Sequence, residues 1–334
     1  MSKAKPTLAE VAKAAGVSAT AASFALNSKG RGIPQATADR VWKAAAALGY
    51  AKPSLAKLRG WTRVAYLTAK IEYFNSATSF FANVYSNLQR LAVKSRFELF
   101  LMEFDALAAD AERERRVQEM IALGIEVVLT NSRANIKPLQ ARGFKAVLVQ
   151  SGVMPDCICV HCDDHEAGRL AAVHALANGH NAVGTIFFPG LDTHQRFIGF
   201  VKGMKEGKGQ LLDKFHWTVP TDHSKAAEKI ARLAAGKKRL PSLFYCFADN
   251  IVFPAIRGLA QAGLRVPDDV SLIGTDNLYW GAHATPAFTT VDLLEDIFAK
   301  RLVEAVKDAV AGESQYSIAS PVRLIARETV RRLS

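Results

Sequence analysis

Residues Thr7 to Asn27, TLAEVAKAAGVSATAASFALN, read as two short helices joined by a tight turn. Thr7 and Glu10 have the spacing of a capping box, in which hydroxyl and carboxylate each satisfy a free amide at the helix start. Leu8, Val11, Ala12 and Ala15 then fall on one face at helical spacing. Gly16 can end that helix in a left-handed conformation that other residues resist. Ser18 can cap a second helix running to about Leu26. A helix, a glycine-containing turn and a second helix form the unit that sets a recognition helix in the DNA major groove. An alanine-rich αα-hairpin inside an enzyme gives a similar pattern. The surrounding lysines and the third helix that follows favour DNA.

Charge supports that preference. The 334 residues carry a net +12, unevenly spread. Residues 1–60 hold ten Lys or Arg (Lys3, Lys5, Lys13, Lys29, Arg31, Arg40, Lys43, Lys52, Lys57 and Arg59) against Glu10 and Asp39, a surplus of eight. The remaining residues hold only +4. Charge concentrated at one end implies a polyanionic partner for that end. Pro34 to Leu48 gives the third helix, with Pro34 suited to its first turn and Val41, Ala44, Ala45 and Leu48 able to pack on the first two. Residues 51–60, AKPSLAKLRG, form a basic linker, whose plain reading is an interdomain tether.

This head resembles that of the lactose-repressor/galactose-repressor (LacI/GalR) family of bacterial transcription regulators. The matching residues are Thr7-Leu8, Val11-Ala12, Ala15-Gly16-Val17-Ser18, Ser23, Leu26-Asn27, Arg40-Val41 and Leu48-Gly49-Tyr50. The resemblance implies DNA contacts from Thr7, Ser18, Ala19, Thr20, Ser23, Phe24, Asn27 and Tyr50. It also implies a hinge helix in the linker that wedges Leu55 or Leu58 into the minor groove, since inserted apolar side chains kink DNA. The family usually has Thr-Val-Ser-Arg in the recognition helix. Here Ala21, Ala22, Ser23 and Phe24 stand there, which implies an altered operator sequence or weaker phosphate anchoring.

From Arg63 onward, strand-like and helix-like runs alternate. Strands are expected at Val64–Thr68, Phe97–Phe104, Val127–Thr130, Ala146–Val149, Ile158–His161, Val183–Phe188, Leu243–Phe247 and Val270–Gly274. Helices are expected over 79–94, 111–123, 136–141, 165–178, 194–205, 224–235 and 251–262, with Pro254 in the first turn of the last or kinking it. Such alternation implies parallel sheets with helices on both faces. A break near 155–160 divides them into two lobes around a cleft.

The resemblance continues here through Asp163-Asp164 with Ala167-Gly168, Gly179-His180, Arg196 with Gly199-Phe200, Ala248-Asp249, GLRVPDDVS at 263–271, GTD at 274–276, and Pro286 with Thr289-Thr290-Val291. It implies an α/β core like that of periplasmic sugar-binding proteins: two doubly wound parallel-sheet lobes joined by three crossovers, the last two near 287–290 and 318–322. The expected domains are a helix-turn-helix head over 1–50, a linker over 51–61 and a core over 62–334. Within the core, the N-lobe takes about 62–157 and 288–319, and the C-lobe about 158–287 and 320–334.

Ligands of open α/β sheets bind beyond the carboxyl ends of the strands. Asp249 and Asp276 each follow a hydrophobic strand, and Arg196 opens the helix after Val183–Phe188. A guanidinium fork and carboxylates that accept hydroxyl protons suit a polyol or sugar. Each also has a plainer reading, a surface helix residue for Arg196 and helix capping for the two Asp. In the resembling family the matching three residues contact the effector. Weaker effector candidates are Asp163, Asp192, His223, Trp280 and Phe81. The aromatic rings could stack on a sugar face, although aromatics more often fill cores.

No apolar run reaches the length of a membrane span, and the N-terminus has no signal-peptide core, so a cytoplasmic protein without membrane partner is expected. Cys157, Cys159, His161, Cys162 and His165 invite a metal reading, but in a strand Cys162 faces away from the other two thiols, and buried small thiols in a sheet are the default. No metal and no cofactor are expected. A Gly-rich phosphate loop, a GxSxG elbow and an HExxH helix are missing, so no enzyme is expected. The last residues, RETVRRLS, carry no leucine heptads, so dimers are expected. The sequence thus points to a homodimeric repressor on a pseudo-palindromic operator, tuned by a small polar, carbohydrate-like effector. A cytoplasmic solute-binding protein without DNA activity is the alternative, and the basic head argues against it.

Overall fold

The computed structural model describes residues 6–27, 33–48, 50, 60–69, 80–105, 107–150, 152–191, 194–235 and 239–333. In the head, α1 (Leu8–Ala15), α2 (Ala19–Asn27) and α3 (Gln35–Leu48) enclose a small core. Val11, Ala12, Ala15, Ala22, Ala25, Ala38, Val41 and Ala45 are buried together. The capping box forms: the Thr7 hydroxyl accepts from the Glu10 amide at 3.3 Å, and Glu10 accepts from the Thr7 amide at 2.6 Å. Gly16 ends α1 at φ 65°, a conformation that glycine adopts without a side-chain clash. The Ser18 hydroxyl caps α2 through the Ala21 amide at 3.1 Å.

Two sheets follow. The first contains β1 (Thr62–Thr68), β2 (Phe97–Glu103), β3 (Val127–Thr130), β4 (Lys145–Val149), β5 (Ile158–Cys162) and β11 (Tyr316–Ser320), in the order β11-β5-β4-β3-β1-β2. The helices between its first four strands in chain order are α4 (Phe80–Ala92), α5 (Asp110–Ala122) and α6 (Arg133–Ala141). The second contains β6 (Ala182–Phe187), β7 (Gln210–Thr218), β8 (Leu243–Cys246), β9 (Ser271–Thr275), β10 (Thr289–Asp292) and β12 (Arg323–Ile325), in the order β12-β10-β9-β8-β6-β7. Its helices are α7 (Asp164–Ala177), α8 (Gln195–Glu206), α9 (His223–Ala234), α10 (Asp249–Gln261) and the short α11 (Tyr279–Ala282), with α12 (Glu295–Ala311) after β10. The strands β7 to β10 pair in parallel, and β12 pairs antiparallel with β10. The central strands β3, β8 and β9 are buried throughout, as strands covered on both faces must be.

The chain divides into two compact units, Met1–Ile71 with Gln89–Cys159 and Val303–Tyr316, and Glu72–Leu88 with Val160–Leu302 and Ser317–Ser334. The sheets allot the strands near the expected crossovers as follows. β5 extends the first sheet to Cys162, while the compact units divide within it, between Cys159 and Val160. β10 pairs with β9, so 289–292 stays with the second sheet. Six described elements were not expected: β7, α11, β10, α12, β11 and β12. β7 is broken by a bulge, advancing from Leu211 to His216 while its partner advances only from Val183 to Thr185, which erases a simple alternation. Pro254 lies at the sixth residue of α10, past its first turn, and α6 begins at Arg133 rather than 136 and carries Pro138 inside.

The second unit depends on one helix crossing. A Cβ placed on Gly168 of α7 would lie 1.9 Å from the Arg196 carbonyl oxygen, and one on Gly199 of α8 would lie 1.9 Å from the His165 carbonyl oxygen. The two backbones touch directly. Gly199→Ala must therefore push α7 from α8; it is expected to destabilise the chain by about 1–3 kcal/mol, as overpacking does, and thermal denaturation of the variant measures it.

Candidate functional site

The second sheet switches direction of winding between β6 and β8, and ligands of such sheets bind at the carboxyl ends there. The residues at this place are Arg196 from α8, Phe247 after β8 and Asp276 after β9. The glycine crossing brings the start of α7 to the start of α8, which joins Asp164 to Arg196. Arg196 Nε and Nη2 both donate to Asp164 Oδ1, at 3.0 and 2.8 Å. Arg196 Nη1 donates to the Phe247 carbonyl at 2.6 Å and stands 3.7 Å from Asp276 Oδ1. The Phe247 ring covers the guanidinium, with the central carbon 4.4 Å from its centroid, a cation–π contact. Arg196 is 4% exposed.

His194 caps α8, its Nδ1 accepting from the Arg196 amide at 3.2 Å. Burial lowers its pKa below the ordinary histidine value, which favours the neutral ring that such an acceptor requires. Burial alone would lower the Arg196 pKa, but Asp164 and then Asp276 outweigh it and hold the guanidinium charged.

Asp249 and Asp276 differ sharply. Asp249 is fully buried, with Oδ1 accepting from the Thr290 hydroxyl at 2.8 Å and Oδ2 from the Leu278 amide at 3.0 Å. Gly274 makes room for it: a Cβ there would lie 2.0 Å from Asp249 Oδ1. Asp249 thus fixes the loop after β9 instead of offering its carboxylate to solvent. Asp276 is 8% exposed, and its carboxylate accepts no hydrogen bond among the described residues. Its φ of 114° is one that non-glycine residues rarely hold.

The other candidates spread out. Asp163 caps α7, accepting from the Glu166 amide at 2.9 Å, so the residue that meets Arg196 is its neighbour Asp164. His223 is the exposed first residue of α9. Trp280 is 51% exposed and packs edge-on against Tyr279. Phe81 is half-buried against Phe80. Asp192 lies outside the described residues. Sequence reasoning missed Asp164, His194, Phe247 and Glu295. Glu295 opens α12 and accepts from Asn83 Nδ2 at 3.0 Å.

On the head, Ala19, Thr20 and Phe24 are exposed on α2 and Ser23 is half-buried. Thr7 and Ser18 are exposed caps, and Tyr50 is half-buried against the head core. Asn27 ends α2, its side chain outside what is described, as are Leu55 and Leu58 entirely. Cys157, Cys159, Cys162 and Cys246 are buried and form no disulfide. Cys157 and Cys159 join the first-sheet core, while Cys162 points to the Leu293 carbonyl. No described helix is long and apolar enough to cross a membrane.

Two carboxyls here titrate late. Burial lifts Asp276 to about 7, with Arg196 opposing and Asp164 adding. Burial lifts Glu295 to about 8, with Asn83 opposing and Asp276 adding. A carboxyl raised on folding binds more protons in the native state, so its contribution is complete below the ordinary carboxylate range and is lost as pH rises through the folded value. Asp276→Asn with Glu295→Gln should therefore flatten the fall in melting temperature between about pH 4 and 8. Parallel melts of both proteins across that range measure it, and identical slopes would refute the assignment.

Comparison with known proteins finds relatives for both the head and the core. The lacI family of bacterial regulatory proteins matches over residues 7–53, and the periplasmic binding protein-like domain over residues 172–330. The HTH-type transcriptional repressor PurR of Aliivibrio fischeri (strain MJ11) is 28% identical over 319 residues, 91% of each chain. The solved transcriptional regulator CelR–cellobiose complex superposes with TM-score 0.70 at 21% identity, covering 97% of this chain and 99% of that one. The lac repressor dimer bound to operator and the anti-inducer ONPF superposes with TM-score 0.69 at 17% identity, covering 98% and 100%. Residues 7–53 are thus similar to the lacI family of bacterial regulatory proteins, residues 172–330 to the periplasmic binding protein-like domain, and nine-tenths of the chain aligns with a relative named a repressor.

Proposed function

We propose that this chain is a sequence-specific transcription repressor whose operator affinity is set by a small polar effector bound at the carboxyl edge of the second sheet. One observation carries the reading: a helix-turn-helix head with exposed Thr20 and Phe24 shares a chain with a buried, strained carboxylate, Asp276, that has no hydrogen-bond donor among the described residues. The relative that is named a repressor and the solved regulators bound to cellobiose or to operator and anti-inducer support both halves.

In this reading residues 1–50 are the DNA-binding head, 51–61 the linker and 62–334 the effector-binding and dimerisation core. Ala19, Thr20 and Ser23 meet base edges, and Phe24 packs on the DNA backbone. Leu55 or Leu58 enters the minor groove. Two-fold operators require a two-fold protein, so the working unit is a homodimer. The effector, a sugar or sugar derivative, donates hydroxyl protons to Asp276. Arg196 orients the site, and Asp249 holds the loop that carries Asp276. The effector acts by binding two states of the core unequally. The protein works in the cytoplasm, where its operator is, and no catalytic step belongs to it.

Two outcomes follow. Operator affinity should fall steeply with salt, because a head with a surplus of eight positive charges displaces counterions from several phosphates. Thr20→Ala should change the preferred operator sequence, since a threonine methyl and hydroxyl both read base edges. Selection from a randomised operator pool, run at two salt concentrations with both proteins, checks both. A salt-independent dissociation constant or an unchanged motif for Thr20→Ala would count against the head assignment.

A further inference from the structure

Among the described residues, the proposed effector site holds more carboxyls than cations. Arg196 is already engaged, giving three hydrogen bonds to Asp164 and the Phe247 carbonyl with one face under the Phe247 ring. Asp292 has its own cation, Arg323, at 3.0 Å. Asp276 has only the Arg196 nitrogen at 3.7 Å, shared with Asp164, and no hydrogen bond among the described residues. Glu295 follows β10, whose Val291 carbonyl accepts from the Asp276 amide at 2.9 Å, and among the described residues its carboxylate accepts only from Asn83 Nδ2 at 3.0 Å. A carboxylate that is nine-tenths buried and lacks donors is unfavourable until a partner supplies them. Backbone strain such as that at Asp276 clusters at ligand clamps.

Resting on the effector site proposed above, we infer that the effector carries a positive charge: an amino-bearing polyol, such as an amino sugar, whose ammonium is bound by Glu295 and Asp276. The ammonium supplies three donors and no acceptor, which matches Asp276, without a donor among the described residues, and Glu295, which has only Asn83 among them. A phosphorylated sugar or a sugar acid meets Asp164, Asp276 and Glu295 while Arg196 is already held by Asp164 and Arg323 by Asp292, and like charges disfavour it. A neutral sugar leaves both carboxyls uncompensated. The late titration of Asp276 and Glu295 fits a site awaiting a cation, since an opposite charge nearby favours the ionised form.

The test uses the full chain, with thermal shift and calorimetric titration at neutral pH. The probes are glucosamine, galactosamine and mannosamine, each beside its neutral parent sugar and the parent 6-phosphate. An amine is expected to raise the melting temperature more than both counterparts. Glu295→Gln is expected to weaken that amine by about tenfold or more, the loss of one charge-assisted hydrogen bond, and to erase its preference over the parent. An equal or larger shift from a neutral or phosphorylated sugar, or no shift from any amine, overturns the inference. Gel shift with operator DNA on the same preparation separates this from the broader reading. Intact operator binding released by a neutral or anionic sugar removes the charge assignment alone, whereas absent operator binding removes the repressor.

Discussion

Gly168 and Gly199 let α7 and α8 meet backbone against backbone, and this contact delivers Arg196 to Asp164. A side chain at either glycine would hold the helices apart and strand a buried guanidinium. Burying an ion pair is favourable only with good geometry and extra hydrogen bonds. Arg196 has both: a two-nitrogen grip on Asp164, a carbonyl on its third nitrogen and an aromatic face above it. Breaking such a pair from one side costs about 3–5 kcal/mol, because the remaining charge stays buried. The polar centre of the second unit is therefore rigid before any ligand arrives.

Around that centre, two aspartates after neighbouring strands have opposite states. Asp249 is paid in full, with donors from Thr290 and Leu278 in a niche that Gly274 leaves open. It holds the loop after β9 in place. Asp276, at the end of that strand, is carried by the loop in a strained conformation with no donor among the described residues. A satisfied carboxylate thus positions an unsatisfied one. Preorganisation of this kind keeps the ordering cost out of the binding step.

Much of this was legible in the sequence. The head could be read residue by residue, because capping boxes and left-handed glycine caps are local devices, and Thr7, Gly16 and Ser18 perform them. The buried strands also announced themselves as apolar runs. What the chain order hides is tertiary. The choice between Asp163 and Asp164 depends on which of two adjacent side chains caps α7 and which faces α8, and both patterns look alike in a string. The allocation of β5 and β10 to their sheets depends on pairing partners far away in sequence. β7 was missed because a bulge destroys its alternation. Glu295 was missed because nothing local marks it; its burial comes from packing of α12 with α4, whose Phe80 meets Phe298 at 5.3 Å.

In the proposed site Asp164 supports the fold while Asp276 receives the ligand. Thermal denaturation of ligand-free Asp164→Asn and Asp276→Asn under one condition tests it most directly. Asp164→Asn removes the charge that compensates Arg196, so it should melt well below the parent protein. Asp276→Asn removes an unsatisfied buried carboxylate, and asparagine tolerates positive φ better than most residues, so it should melt at or above the parent. The reverse order, with Asp276→Asn the more destabilised, would contradict the account.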